Sequence, residues 1–144
     1  MALRARLRPN LDAIVLLALV ALHLLTTLPS LGNGPLVGGD EGWIISASAK
    51  LADHGTFGSD LFQGFYGSED HYYFNLPLHH LVLAAWFKVA AVSMASARLV
   101  SVIYGLAALL LTYALGRRLS GRWVGLGAAA LRVLLRPNLT PLHG

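Results

Sequence analysis

Most of the apolar residues of this chain are gathered into continuous blocks, and are not spaced around the faces of soluble helices or strands. The two longest blocks run from Leu11 to Leu28 and from Leu99 to Leu115. Each is close to the length that a helix needs to cross the roughly 30 Å hydrocarbon layer of a bilayer. Composition agrees, since 56% of the 144 residues are hydrophobic and 12% are charged, whereas soluble domains carry about 25% charged residues. We therefore expect an all-α integral membrane protein.

Arginines flank these blocks and predict the topology. Three precede the first block and three follow the second, so both ends of the spanning pair are expected in the cytoplasm, as the positive-inside rule requires; they are Arg4, Arg6, Arg8, Arg117, Arg118 and Arg122. The formal charge of +4 comes mainly from these flanks and does not indicate a nucleic-acid partner. Asp12 lies at the cytoplasmic mouth of the first block, where we expect it to stay hydrated. Cysteine is absent, which excludes disulfides and thiolate metal sites.

A third apolar block, residues 123–135, is short for a span and contains Arg132. We expect at most a partial span there. Residues 132–144 form an atypical tail, whose basic charge would lie on the side of the membrane that the positive-inside rule disfavours. This favours the interpretation that the chain is a truncated or frame-altered piece of a larger protein. Residues 1–131 are then expected to be the N-terminal part of one membrane domain, and this chain alone is expected to be incomplete and inactive.

Residues 29–97 have the charge of a non-cytoplasmic loop, because acidic residues outnumber the two lysines, Lys50 and Lys88. Within this outer loop, Glu41 to Asp53 has apolar residues at helical spacing, which predicts a short amphipathic helix along the membrane surface that ends at Gly55. Aromatic and glycine residues alternate after it, as expected of a loop at the membrane interface.

The segment from Leu76 to Val92 has two interpretations, because it is apolar enough for a span but is interrupted by Pro77, His79, His80 and Lys88. If it crossed the bilayer, the next span would run outward and leave its arginines on the outer face. We therefore predict a juxtamembrane helix.

The acidic pair Asp40-Glu41 follows the first block by about a dozen residues. A carboxylate close to the bilayer is costly, which indicates catalysis or binding. The alternative is that the pair starts the following helix, with Asp40 as N-cap and Glu41 favoured by the helix dipole.

The order of these features resembles the polyprenyl-phosphate-sugar-dependent glycosyltransferases of the GT-C superfamily, the group of protein O-mannosyltransferases and lipid A aminoarabinose transferases. The features that carry the resemblance are one span, the Asp-Glu pair, a helix ending at a glycine, an aromatic loop, Asn75-Leu76-Pro77-Leu78, Ala97-Arg98-Leu99 and Gly116 to Leu119. They cover residues 8 to 131. The resemblance implies an inverting sugar transfer at the outer face of the bacterial inner membrane, from a polyprenyl-phosphate donor to a glycan, lipid or protein acceptor.

The resemblance also suggests roles for individual residues. Asp40 is expected to be the base that takes the acceptor proton, and Glu41 to orient the acceptor or hold a divalent ion. Arg98, Lys50 and Lys88 are candidates for contacts with the lipid phosphate, Arg98 first because its guanidinium binds phosphate in a bidentate way.

Two alternatives stay open. A divalent metal ion is a possible cofactor, with His71, His79 and His80 joining Glu69 and Asp70 as candidate ligands. The chain could also be a small non-catalytic membrane protein whose outer loop binds a partner.

Overall fold

The structure is a computed structural model that describes residues 2–33, 39–72 and 77–135. All regular structure in these ranges is helical, with a single 3₁₀ turn at Asp60–Phe62. The α-helices are α1 (Ala2–Thr27), α2 (Ser30–Asn33), α3 (Gly39–His54), α4 (Pro77–Phe87), α5 (Met94–Ser120) and α6 (Arg122–Leu134).

Two stretches in the described part of the chain are long and apolar enough to cross a membrane. They are Leu11–Gly32 and Met94–Ser120; an 18-residue window of each has a mean hydropathy of 2.3 and 2.0, respectively, and only 17% of each window is buried within the chain. Apolar side chains that stay uncovered over such lengths are typical of lipid-facing helices. The all-helical prediction with two candidate spans is therefore confirmed.

Helix α5 begins earlier than the predicted block at Leu99. The Ser93 hydroxyl accepts a hydrogen bond from the Ser96 backbone N–H at 3.1 Å, and Ala97 donates its backbone N–H to the Ser93 carbonyl at 3.0 Å. Ser93 thus caps the helix, so Arg98 lies inside its first turns.

The described residues divide into two compact units. The terminal unit comprises Met1–Leu28 and Val102–Gly144, and the central unit comprises Pro29–Ser101. Helix α5 begins in the central unit and continues into the terminal unit. The central unit nearly coincides with the predicted outer loop, residues 29–97.

In the terminal unit, α1, α5 and α6 share a small apolar core. Leu109, Ala129 and Val133 are buried, with Leu19 and Val20 packed against them.

Gly116 and Gly125 bring the backbones of α5 and α6 together. A Cβ at Gly116 would lie 2.8 Å from the Gly125 Cα, and one at Gly125 would lie 2.7 Å from the Tyr113 carbonyl oxygen. The chain reverses at Gly121, whose φ of 91° suits glycine. Glycine at both positions therefore lets the two helices approach closely.

Asp12 was expected to stay hydrated, but the structure has its side chain buried. Its Oδ1 lies 3.0 Å from Nη2 of Arg122, so a carboxylate of α1 meets a guanidinium of α6. Arg122 also lies over the Trp123 ring, 4.8 Å from its centroid. A charge removed from water requires such a counterion.

In the central unit, α3 packs on α4. Leu83, Phe87, Ala97 and Val100 form the buried cluster, and apolar residues of α3, Ile44 and Ile45 among them, cover it. The apolar face that predicted a membrane-surface helix is therefore largely occupied by α4.

The loop after α3 folds back on itself. Ser59 donates its backbone N–H to the Ser68 carbonyl at 2.9 Å, and Tyr72 donates to the Phe57 carbonyl at 2.8 Å. Gly58 lies against Glu69 so closely that any Cβ would overlap the Glu69 carbonyl.

Helix α4 has 11 residues, which reach about 17 Å and fall short of the hydrocarbon layer. Of the Asn75-Leu76-Pro77-Leu78 motif, only Pro77 and Leu78 lie within the described residues. Most of the predicted atypical tail, from residue 136 onward, and Gly38 lie outside them.

Candidate functional site

Glu41 and Arg98 form an ion pair in the central unit. Arg98 Nη2 donates to Glu41 Oε2 at 2.8 Å, and Nε donates to Oε1 at 3.3 Å. Both carboxylate oxygens are therefore bound by one guanidinium, the bidentate geometry that gives such pairs their orientation. The pair joins the first turn of α3 to the first turns of α5.

Arg98 also binds the backbone near the start of the central unit. Its Nη1 lies 3.4 Å from the Ser30 carbonyl oxygen and 3.5 Å from that of Leu31. These carbonyls belong to the four-residue helix α2. One guanidinium thus links α2, α3 and α5.

A cleft of about 140 Å³ opens beside the ion pair. Its polar lining comes from Glu41, Arg98, His79 and Ser101, and its apolar lining from Ile44, Ile45, Leu83 and Ala97. The volume is smaller than the roughly 300–1,000 Å³ of sites for drug-sized ligands.

Asp40 lies outside this lining and is exposed in the first turn of α3. The structure therefore separates the acidic pair, with the Glu41 carboxylate held by Arg98 and the Asp40 carboxylate exposed to solvent.

The two lysines predicted to contact phosphate are elsewhere. Lys50 Nζ donates to Asp60 Oδ1 at 2.6 Å and to the Glu69 carbonyl at 2.8 Å, which ties α3 to the following loop. The hydrogen bond to Asp60 is the main cause that raises the pKa of Lys50. Lys88 is exposed just beyond the end of α4. Neither lines the cleft.

His80 is buried, and it follows His79, which lines the cleft. Ser48 donates its hydroxyl proton to the Ile44 carbonyl at 2.7 Å, so its oxygen, 3.0 Å from His80 Nδ1, accepts from that nitrogen. Burial is the main cause that lowers the pKa of His80, and the nearby His79 adds to it. His80 is therefore a neutral structural residue that fixes α4 against α3.

His79 and Ser101 are the cleft residues that the sequence did not identify as substrate contacts. Helical spacing puts Ala97, Arg98 and Ser101 on one face of α5. The sequence could have indicated Ser101 only if the helix had been predicted to begin at Met94 and not at Leu99. His79 had been considered only as a metal ligand.

The described residues hold no group of three or more histidine, cysteine or acidic side chains placed to bind a metal ion. Glu41, the acidic residue of the cleft, faces a guanidinium. This donor set does not fit a divalent ion.

The described fold is thus an all-helical chain with two candidate membrane spans and a compact unit between them that carries a carboxylate–guanidinium site. Comparison with models of protein families, with curated proteins and with solved structures finds no match for this chain.

Proposed function

We propose that this chain is the N-terminal part of a membrane glycosyltransferase that uses a polyprenyl-phosphate-linked sugar. The observation that carries the proposal is the pairing of Glu41 with Arg98 beside a small cleft, one residue away from the exposed Asp40. The two candidate spans on either side of this unit support a site close to a bilayer, where a lipid-linked donor is found.

The cleft supports binding of the donor phosphate and the first part of its lipid. Arg98 supplies a positive charge at the mouth, and His79 supplies a ring nitrogen that can donate to a phosphate oxygen. Ile44, Ile45 and Leu83 offer an apolar wall for hydrocarbon. Glu41 orients Arg98 and is a positioning residue in this proposal.

Asp40 would act on the acceptor. Its carboxylate takes the proton of the acceptor hydroxyl while the oxygen attacks the anomeric carbon, and the bond from that carbon to the phosphate oxygen breaks. The electron pair leaves with the polyprenyl phosphate, a stable anion that needs no proton. Attack from the face opposite the leaving group inverts the anomeric configuration. No step requires a metal ion.

The cellular setting follows from the same proposal. The N-terminal arginines favour a cytoplasmic N-terminus, and together with two candidate spans they support a central unit on the outer face of the bacterial inner membrane. The partners are the bilayer, the lipid-linked donor and a glycan, lipid or protein acceptor, with no nucleic acid.

One observation favours a second candidate, a non-catalytic membrane protein whose outer unit binds a partner. Arg98 already bonds with Glu41 and two backbone carbonyls, an arrangement that serves structure alone equally well.

Binding and transfer measurements on the reconstituted chain separate the two candidates. We expect undecaprenyl phosphate to bind more tightly than undecaprenol, and Arg98→Ala to weaken that binding at least about tenfold, while Lys88→Ala leaves it unchanged. Asp40→Asn should keep the affinity and, where transfer is measurable, lower its rate about 10²–10⁴-fold. Equal binding of the phosphate and the alcohol would contradict the enzyme proposal and favour the non-catalytic protein.

A further inference from the structure

The central unit exposes a continuous strip of large apolar side chains, which we call the aromatic ridge. It consists of Trp43, Leu61, Phe65 and Tyr66, with exposed fractions of 40, 61, 50 and 91%. Phe62 joins its members, since its ring centroid lies 5.0 Å from that of Trp43 and 6.3 Å from that of Phe65. The Phe65 and Tyr66 rings meet edge to face at 4.7 Å. The ridge is therefore one packed surface and not a set of scattered side chains.

The backbone holds the tip of the ridge outward. Tyr66 has a φ of 53°, between Gly64 and Gly67 at 78° and 69°. Left-handed backbone is unfavourable for an aromatic residue, yet hydrogen bonds from Phe65 to Phe62 and from Ser68 to Phe65 close the turn around it at 2.9 and 3.0 Å. The turn thus keeps two rings in contact with solvent.

The connectivity of the chain identifies the occupant of this surface. The central unit begins at Pro29, within the first candidate span, and ends at Ser101, within the second. Trp43, at one end of the ridge, is two residues from Glu41, whose carboxylate pairs with Arg98 inside the second candidate span, so the ridge begins close to the point where the chain enters the bilayer. Aromatic rings are favoured at the level of the lipid headgroups.

The charges beside the ridge exclude electrostatic docking. Asp60 adjoins it and is paired with Lys50, while Glu69 and Asp70 follow in the same loop. Acidic residues beside the ridge do not attract anionic lipid. We propose that the aromatic ridge docks on the bilayer surface through its rings, with Phe65 and Tyr66 among the headgroups and without a preference for anionic lipid.

The absence of cysteine from the chain allows a direct test. A nitroxide label on Tyr66→Cys is compared in zwitterionic vesicles with the same label on Leu17→Cys, an exposed position of the first candidate span. The ratio of collision rates with oxygen and with a water-soluble nickel chelate reports the depth of a label in the bilayer. For the Tyr66→Cys label this ratio should lie between the ratio for the Leu17→Cys label and the ratio for free label in water. Anionic lipid should not increase the depth of the label, and 0.5 M salt, about a 4 Å screening length, should leave the ratio in zwitterionic vesicles unchanged.

Two further variants show whether the ridge itself is responsible. Adding Leu61→Ser and Phe65→Ser should move the Tyr66 label to the aqueous value, whereas Gln63→Ser, a change at an exposed polar residue of the same turn, should not. An aqueous value in the parent protein, or a depth that requires anionic lipid, would overturn the proposal. Neither result depends on sugar transfer or on binding of the donor.

Discussion

Arg98 binds both carboxylate oxygens of Glu41 across a separation of 57 residues, through nitrogen–oxygen contacts of 2.8 and 3.3 Å. This pair connects the start of α3 with the start of α5, and both residues line the cleft.

A double-mutant cycle measures this pair. Glu41→Gln and Arg98→Gln should each lower the thermal unfolding temperature in detergent, and together they should cost less than the sum of the two, because each single change leaves a charge without its partner. Lys88→Gln, at an exposed position, is the control. Strict additivity would show that the pair contributes no coupling energy.

The contact between α5 and α6 depends on two glycines. Gly116→Ala and Gly125→Ala should each destabilise the chain by about 1–3 kcal/mol, because the added methyl groups meet backbone that cannot move aside. Gly127→Ala in the same helix as Gly125 meets no atom within 4 Å, so it should be neutral or stabilise by up to about 1 kcal/mol. Thermal unfolding of the three variants checks this order, and equal effects at all three positions would contradict it.

Stability should depend on pH through His80. Its pKa is lowered by burial in the folded chain, so the unfolded chain takes up a proton more readily. The contribution of this residue is present above about pH 6.5 and is lost as the pH falls from there through the lowered pKa.

Unfolding temperatures measured as a function of pH test this expectation. His80→Phe should flatten the profile in that acidic window, even if it lowers stability overall, whereas His54→Gln at an exposed position should leave the profile unchanged. A profile that stays as steep in His80→Phe would assign the pH dependence to another group.

The buried carboxylate of Asp12 should make Arg122 important for stability. Arg122→Gln removes the counterion 3.0 Å from Asp12 Oδ1 and should cost about 2 kcal/mol, since an uncompensated charge stays away from water. Arg118→Gln, at an exposed position near the end of α5, should change stability little. Adding Asp12→Asn to Arg122→Gln should restore part of the loss; no restoration would show that the charge of Asp12 is not the cause.

The amino-acid sequence by itself determined the features that depend on neighbouring residues. Runs of apolar residues predicted both candidate spans, and helical spacing with Gly55 predicted α3 nearly to its observed ends. The alternative considered for Asp40 and Glu41, that they start this helix, agrees with the structure, which has both in its first turn, although the helix begins at Gly39 and Asp40 is not its N-cap. Hydrophobicity and helix-end preferences act over a few residues, so they can be inferred from the chain alone.

The tertiary structure decided which distant side chains meet. In the folded chain Glu41 pairs with Arg98, while Asp40 stays exposed. Lys50 pairs with Asp60, and the buried Asp12 pairs with Arg122. These contacts depend on how α3 packs on α4 and how α6 returns on α1. An ion pair between remote residues has no local sequence pattern, because its geometry is set by the packing of the helices that carry its two charges.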